Sequence, residues 1–77
     1  MEEKIKQDEI RIGANIRQVR KSHKVGQTEL VRILQLQGID ITRETLVKIE
    51  RGIQHIKVTQ LKAIREALNT SYDELLK

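Results

Sequence analysis

The sequence predicts an all-α fold of four to five short helices. Apolar residues recur at intervals of three and four in several short stretches, which is the spacing of one face of a helix. The 77-residue chain has no proline that would interrupt these stretches. Alternation with a period of two, the pattern of a strand, is confined to a few residues near 39–41. A chain of this length forms one small domain that buries roughly 60–65% of its unfolded surface.

Composition excludes several classes of function. With 38% apolar and 34% charged residues, the chain falls among globular rather than disordered proteins. It has no cysteine, so disulfides, thiolate metal sites and cysteine nucleophiles are ruled out. Tyr72 is its one aromatic residue, so the chain cannot form an aromatic platform for single-stranded nucleic acid.

No stretch of the sequence is typical of a membrane or secretory segment. The longest uncharged run covers residues 33–39, whereas a membrane helix needs ~20 apolar residues. Residues 1–4 (MEEK) are mainly acidic and lack the apolar stretch of a secretory signal. We therefore expect a soluble, cytoplasmic protein that has no membrane partner.

The net charge of +4 is unevenly distributed. Residues 1–9 contain two basic and four acidic residues, and we assign them to an acidic N-terminal extension or to the early part of helix 1. Residues 10–62 contain eleven basic and four acidic residues, whereas residues 63–77 contain two and three. A basic middle favours a polyanionic partner, although an ordinary solvated surface can carry the same excess.

Two helices are predicted in the first half of the chain. Ile12, Ile16 and Val19 share one face of the first helix, and Ile5 extends that stripe, so this helix runs from about residue 4 to residue 22. The second helix runs from Gln27 to about residue 37, where a glycine follows as its C-terminal stop. Its inward residues are Leu30, Val31 and Leu34.

The second half of the chain predicts three further helices. Thr42 is the N-cap of a third helix over 43–51, and Gly52 ends it. Residues 53–57 form a loop. A fourth helix covers about 58–68 and ends at Asn69, with four inward residues: Val58, Leu61, Ile64 and Leu68. A fifth helix opens with a capping box, in which Ser71 and Glu74 satisfy each other's backbone amides.

The outward face of the third helix suggests a function. Leu46 and Ile49 point inward, which leaves four residues on the opposite face: Arg43, Glu44, Val47 and Lys48. A short exposed helix fits the major groove of DNA, where Arg or Lys donates to guanine and Glu accepts from cytosine. An ordinary solvated helix carries the same residue types, so this pattern alone leaves both interpretations open.

Three segments of the chain carry a family resemblance. They are IRQVR (16–20) followed by VGQTELV (25–31), then ITRETLVKIERG (41–52), then residues 61–68 followed by SYDEL (71–75). Together they resemble the Cro/repressor-type helix-turn-helix family, the XRE family with a lambda repressor-like fold. The resemblance covers residues 10–76, and it implies a helix-turn-helix DNA-binding domain over residues 10–77.

The resemblance implies roles for the matching positions. Residues expected to contact base edges are Arg43, Glu44, Thr45, Val47 and Lys48. Residues expected to contact DNA phosphates are Gln27, Thr28, Thr42, Arg51, Gln54, His55 and Lys57. Arg20 and Glu50 match a structural ion pair that ties the first helix to the third.

The chain departs from the family between the second and third helices. From Leu30 to Thr42 it has about five more residues than a 3–4-residue turn requires. The extra residues either lengthen the second helix by a turn or form a longer connection around residues 35–41. Ile56 stands where the family often has proline, and Val31 stands where it usually has alanine.

No catalytic or metal-binding constellation is apparent. His23 and His55 lie in different connections without acidic residues at ligand spacing, and the serines have no partner arranged as a base. The four glycines form no phosphate-binding motif. We therefore expect no enzyme, no metal, no cofactor and no small-molecule substrate.

These observations predict a sequence-specific, double-stranded DNA-binding transcriptional regulator, and specifically a repressor. One domain makes few phosphate contacts, so we expect a homodimer on a palindromic operator. Candidates for its interface are Ile53, Ile56, Tyr72, Leu75 and Leu76, of which Leu75 is better assigned to the domain's own core. The alternative is a protein-interaction module, an antitoxin-like or adaptor subunit, on the same fold.

Overall fold

The computed structural model describes the backbone of residues 4–5 and the whole of residues 11–77. This part of the chain forms five α-helices: α1 (Ile12–Ser22), α2 (Gln27–Leu36), α3 (Arg43–Glu50), α4 (Val58–Ala67) and α5 (Tyr72–Leu76). Two strands of two residues each, β1 (Lys4–Ile5) and β2 (Ile56–Lys57), pair antiparallel. The predicted all-α fold class is confirmed, with this short ladder as an addition.

The start of the first helix was predicted wrongly. Residues 4–5 form β1, whose Lys4 and Ile5 pair with Lys57 and Ile56 respectively, and α1 begins only at Ile12. The predicted loop over 53–57 accordingly ends in β2. The spacing of Ile5 fits a helical stripe, but pairing with a strand about fifty residues away cannot be inferred from local spacing. The rest of the predicted extension, residues 1–3 and 6–10, lies outside the described residues.

The core collects apolar residues from all five helices and from the connections between them. Helix α1 packs against α3 and α5, while α2 packs against α3 and α4, so α3 is held from two sides. Burial of each such side chain stabilises the fold by roughly 1.5–3 kcal/mol. The fully buried residues are Ile12, Ile16, Leu30, Leu34, Ile41, Leu46, Ile49, Ile56, Ile64, Leu68 and Leu75.

Several apolar residues lie elsewhere than predicted. Val58 was expected inside but is 47% exposed, because Ile56 of β2 fills the core at this end of α4. Ile56 was a candidate for a dimer interface and is instead fully buried, as is Leu75. Of the other candidates, Ile53 is 64% exposed and Tyr72 is 41% exposed. The Arg65 guanidinium lies 4.9 Å from the centre of the Tyr72 ring.

Helices α1 to α4 end in the same hydrogen-bonding motif. In each, the amide of the second residue past the C-cap donates to a carbonyl five residues earlier, as Ile53 does to Lys48 at 2.9 Å. The residue before that amide adopts a positive φ: Lys24, Gly38, Gly52 and Asn69. The helix ends predicted at residues 38, 52 and 69 are confirmed. The positive φ at Lys24 was not predicted, because lysine rarely adopts this conformation.

The connection between α2 and α3 combines both expected possibilities. Helix α2 extends to Leu36, and residues 37–42 then form a six-residue link. The link is fixed at its far end, because Gln35 Nε2 donates to the carbonyl of Ile41 at 2.8 Å and Ile41 is buried. Leu36 is left 82% exposed at the end of α2.

Gly52→Ala should lower the free energy of unfolding by about 1 kcal/mol. Gly52 has a φ of +76°, and an added Cβ would meet nothing within 4 Å, so the cost comes from the backbone alone. A left-handed L-residue costs roughly 1–2 kcal/mol, and a stiffer unfolded chain offsets part of that cost. Lys24→Gly removes the same strain at the end of α1 and should raise stability by about 1 kcal/mol. Urea denaturation measures both variants, and changes of the same sign would contradict this account.

Candidate nucleic-acid interface

The sequence of α3 separates a buried face from an exposed one. Thr42 begins the helix as predicted, with its hydroxyl accepting a hydrogen bond from the Thr45 amide at 3.1 Å. Leu46, Ile49 and Glu50 are buried against the neighbouring helices. The opposite face carries the side chains predicted to contact bases: Arg43, Glu44 and Lys48 are exposed, while Thr45 and Val47 are half-buried. This face is therefore open to solvent.

A buried ion pair holds α3 against α1. Arg20 Nε donates to Glu50 Oε2 at 2.7 Å, and Arg20 Nη2 donates to Glu50 Oε1 at 2.9 Å. The two side chains are only 9% and 2% exposed. Arg20 Nη1 also donates to the carbonyl of Val25 at 2.9 Å, which fixes the connection that leads into α2. Arg20 and Glu50 therefore form the bidentate structural pair that the resemblance implied.

The N-terminus of α2 is joined to the same pair. Gln27 Nε2 donates to Glu50 Oε1 at 3.1 Å, which places the first residue of α2 beside α3. The N-cap of α2 is Gly26, which has no side chain that could cap the first amides. Exposed amides at a helix N-terminus attract anions, phosphates above all. Gln27 and Thr28, both predicted to contact phosphates, lie in this first turn.

Two adjoining hollows flank the buried pair. The larger has a volume of about 490 Å³ and is lined by Arg17, Gln27, Val47, Glu50 and Arg51. It brings together three predicted site residues, namely Gln27, Val47 and Arg51. A smaller hollow of about 230 Å³ shares Glu50 and Arg51 and adds three residues: Arg11, Ala14 and Gly52.

Arg17 and Arg11 were missed by sequence reasoning. Both are exposed residues of the α1 region, and each lines one of the two hollows. The helical spacing of Ile12 and Ile16 does place Arg17 on the solvent side of α1. It does not reveal that this side adjoins α3, because that depends on how the helices pack.

The remaining predicted phosphate contacts lie in the segment after α3. Gln54 and His55 are half-buried, and Lys57 is exposed. The amide of Lys57 donates to Gln60 Oε1 at 2.9 Å, so its backbone is fixed at the start of α4 while its side chain extends into solvent. These three residues follow α3 along the chain and do not line the larger hollow.

Two of the predicted base-contacting side chains pair with each other in the free protein. Lys48 Nζ lies 3.4 Å from Glu44 Oε1, one helical turn apart, and the two side chains are 48% and 80% exposed. Such a pair stabilises a helix by only about 0.2–0.5 kcal/mol. Separating the two side chains so that they can contact a ligand therefore costs little.

Two other kinds of site are not found among the described residues. Residues 11–77 contain no group of three or more histidine and acidic side chains arranged to hold a metal ion. No helix in the same part of the chain is both long enough and apolar enough to span a bilayer.

The fold and the site together define a class of protein. A short exposed helix is fixed from behind by a buried ion pair, and the N-terminus of the preceding helix lies beside it. This is the architecture of a helix-turn-helix DNA-binding domain, in which the second helix of the motif enters the major groove.

Comparison with known families agrees with this class. The profile of a family described as "Helix-turn-helix" matches residues 16–75, which is most of the chain. The chain belongs to this family, of the XRE type with a lambda repressor-like fold, and it is a helix-turn-helix DNA-binding regulator. Comparison with curated proteins and with solved structures gives no match.

Arg20→Met should lower the free energy of unfolding by about 3–5 kcal/mol, because it leaves the Glu50 carboxylate buried without its counter-ion. The double variant Arg20→Met/Glu50→Met removes both charges and should recover most of the loss. Urea denaturation at pH 7 measures both.

Lys48→Ala is the matched control, since it breaks an exposed pair and should change stability by about 0.5 kcal/mol or less. A double variant as unstable as Arg20→Met would show that the loss comes from packing rather than from the uncompensated charge.

Proposed function

We propose that the protein is a sequence-specific repressor of transcription that binds a palindromic duplex site as a homodimer in the cytoplasm. The observation that carries this proposal is the outward face of α3. Arg43, Glu44 and Lys48 extend from it into solvent, and the six-residue link before the helix leaves them exposed. A duplex can therefore approach α3 without any rearrangement of the fold.

The chemistry of this face suits direct recognition of base pairs. An arginine such as Arg43 can donate two hydrogen bonds to guanine O6 and N7, and Glu44 can accept one from cytosine N4. Lys48 is a second donor, Thr45 offers a hydroxyl, and Val47 can contact the methyl group of thymine. Each well-formed bidentate contact discriminates against the wrong base by roughly 1–3 kcal/mol.

Phosphate contacts would fix the orientation of α3 in the groove. The first turn of α2 supplies backbone amides and the side chains of Gln27 and Thr28 on one side. Arg51 and the segment with Gln54, His55 and Lys57 follow α3 on the other side, and Thr42 precedes it. Contacts on both sides of one helix position it in the groove but carry no sequence information themselves.

A homodimer would double these contacts. Two recognition helices related by a twofold axis lie ~34 Å apart on successive turns of the major groove, which matches a palindromic site. Ile53, just after α3, and Tyr72, at the start of α5, are exposed apolar residues that a partner subunit could cover. A dimer that occupies both half-sites would exclude other proteins from that DNA, which is the simplest route to repression.

Selection of binding sequences from a random duplex pool tests the proposal. The expected result is enrichment of a palindrome whose half-sites are about 10–10.5 base pairs apart. Enrichment of one half-site alone would overturn the homodimer. Failure to enrich any sequence would overturn sequence-specific binding.

One observation favours the alternative function, a protein-interaction module of the antitoxin or adaptor kind. Leu36 is a large apolar side chain, and it is 82% exposed at the end of α2, in the segment where the sequence analysis expects extra residues relative to the family. A protein partner could cover it. This alternative predicts that no duplex sequence is enriched in the selection.

Arg43→Ala should weaken binding to the selected duplex by about 1–3 kcal/mol and should change binding to a random duplex far less, because a base contact is lost. Lys57→Ala is the comparison variant. It should weaken binding to both duplexes alike and reduce the magnitude of the slope of log K against log salt by about 0.9. Fluorescence anisotropy between 50 and 200 mM salt measures both effects. An equal loss on both duplexes for Arg43→Ala would show that Arg43 does not contact bases.

A further inference from the structure

The larger hollow between α1 and α3 is lined by two arginines, and one of them, Arg17, has no role assigned so far. Arg17 of α1 lines it together with Arg51, which follows α3, and the other lining residues are Gln27, Val47 and Glu50. We propose that Arg17 is a phosphate-binding residue and that this hollow takes the DNA backbone beside the groove that α3 enters. The inference rests on the proposed function, and it extends the contact surface to α1, where neither the family resemblance nor the sequence pattern assigned a ligand.

The charge balance of the hollow favours an anion. Glu50 is the one carboxylate among the described residues that line it, and both of its oxygens already accept hydrogen bonds from Arg20. The buried Arg20 guanidinium therefore compensates the charge of Glu50. In the described part of the chain, neither Arg17 nor Arg51 lies within 4.0 Å of a carboxylate. Among the described residues, these two cations therefore set the sign of the potential in the hollow.

The donors in the hollow match a phosphodiester. A guanidinium presents a planar fork of N–H groups that can bind two phosphate oxygens at once. The Gln27 amide group has two hydrogens, and its bond to Glu50 at 3.1 Å uses one and orients the other. The open N-terminus of α2 begins at the same residue and adds its positive end to the site.

The α1 and α3 sides of the hollow are fixed relative to each other. Arg17 lies one helical turn before Arg20 on α1, and Arg51 directly follows Glu50 of α3. Because the buried Arg20–Glu50 pair joins these helices, the two exposed arginines flank a rigid cleft rather than a mobile surface. A preorganised site of this kind loses less entropy when it binds a ligand.

The hollow has a volume of about 490 Å³, which leaves room for a sugar–phosphate unit. The half-buried Val47 lines the hollow on its α3 side, where the proposed base-contacting face begins. The footprint of the protein would therefore include a phosphate that lies over α1.

The test compares the full chain with Arg17→Ala and Lys62→Ala, using a fluorescein-labelled 20-base-pair duplex of random sequence. Lys62 is an exposed cation on α4, and it lines a separate hollow with Ile39 and Ala63, so its loss changes the net charge equally. Fluorescence anisotropy between 50 and 200 mM salt gives the affinity and the salt slope. Arg17→Ala should lose about tenfold in affinity, and its slope should be smaller in magnitude by about 0.9 than that of Lys62→Ala.

Arg17→Lys separates a charge contact from a purely structural role. It keeps the cation, so it should retain the slope of the parent chain while binding more weakly, because an ammonium lacks the guanidinium fork. If the parent chain binds the duplex and Arg17→Ala has the slope of Lys62→Ala, the assignment of Arg17 is overturned and the proposed function stands. If the parent chain does not bind duplex DNA at all, both are overturned.

Discussion

The buried bidentate pair between Arg20 and Glu50 is the interaction on which the arrangement of this protein depends. A charge buried in a small core is tolerated only when its partner is in place, so α1 and α3 must meet where the guanidinium and the carboxylate can join at 2.7 and 2.9 Å. The same carboxylate accepts a hydrogen bond from Gln27, and the same guanidinium donates to Val25. One pair therefore sets the positions of three helices.

This constraint explains why the proposed binding surface is built from several helices. Leu46, Ile49 and Glu50 direct one face of α3 into the core, so Arg43 and Lys48 must face solvent. The first turn of α2 and the exposed side of α1 are brought to the edges of that face by the same pair. The helix that we propose to contact bases is thus flanked by groups that we propose to bind the DNA backbone, although no single segment of the sequence contains both.

Local sequence patterns predict where the helices end, but they do not predict which distant segments pack or pair together. Thr42, Gly38 and Gly52 mark helix ends through capping and positive φ, which are properties of a few adjacent residues, and the structure places ends there. Strand β1 depends on pairing across about fifty residues, and the exposure of Val58 depends on Ile56 filling the core in its place. Neither can be derived from spacing.

The candidate site shows the same division. The outward face of α3 follows from helical periodicity, whereas Arg17 joins the site only through the packing of α1 against α3. Titration of the ¹⁵N-labelled protein with DNA, followed by NMR chemical shifts, shows whether this face of α3 meets the duplex. If it does, amides of residues 43–51 and 27–28 shift most, while those of Lys62 and Glu66, two exposed residues of α4, stay in place. Shifts concentrated on α4 or on the exposed end of α2, with residues 43–51 unchanged, would contradict DNA recognition by α3.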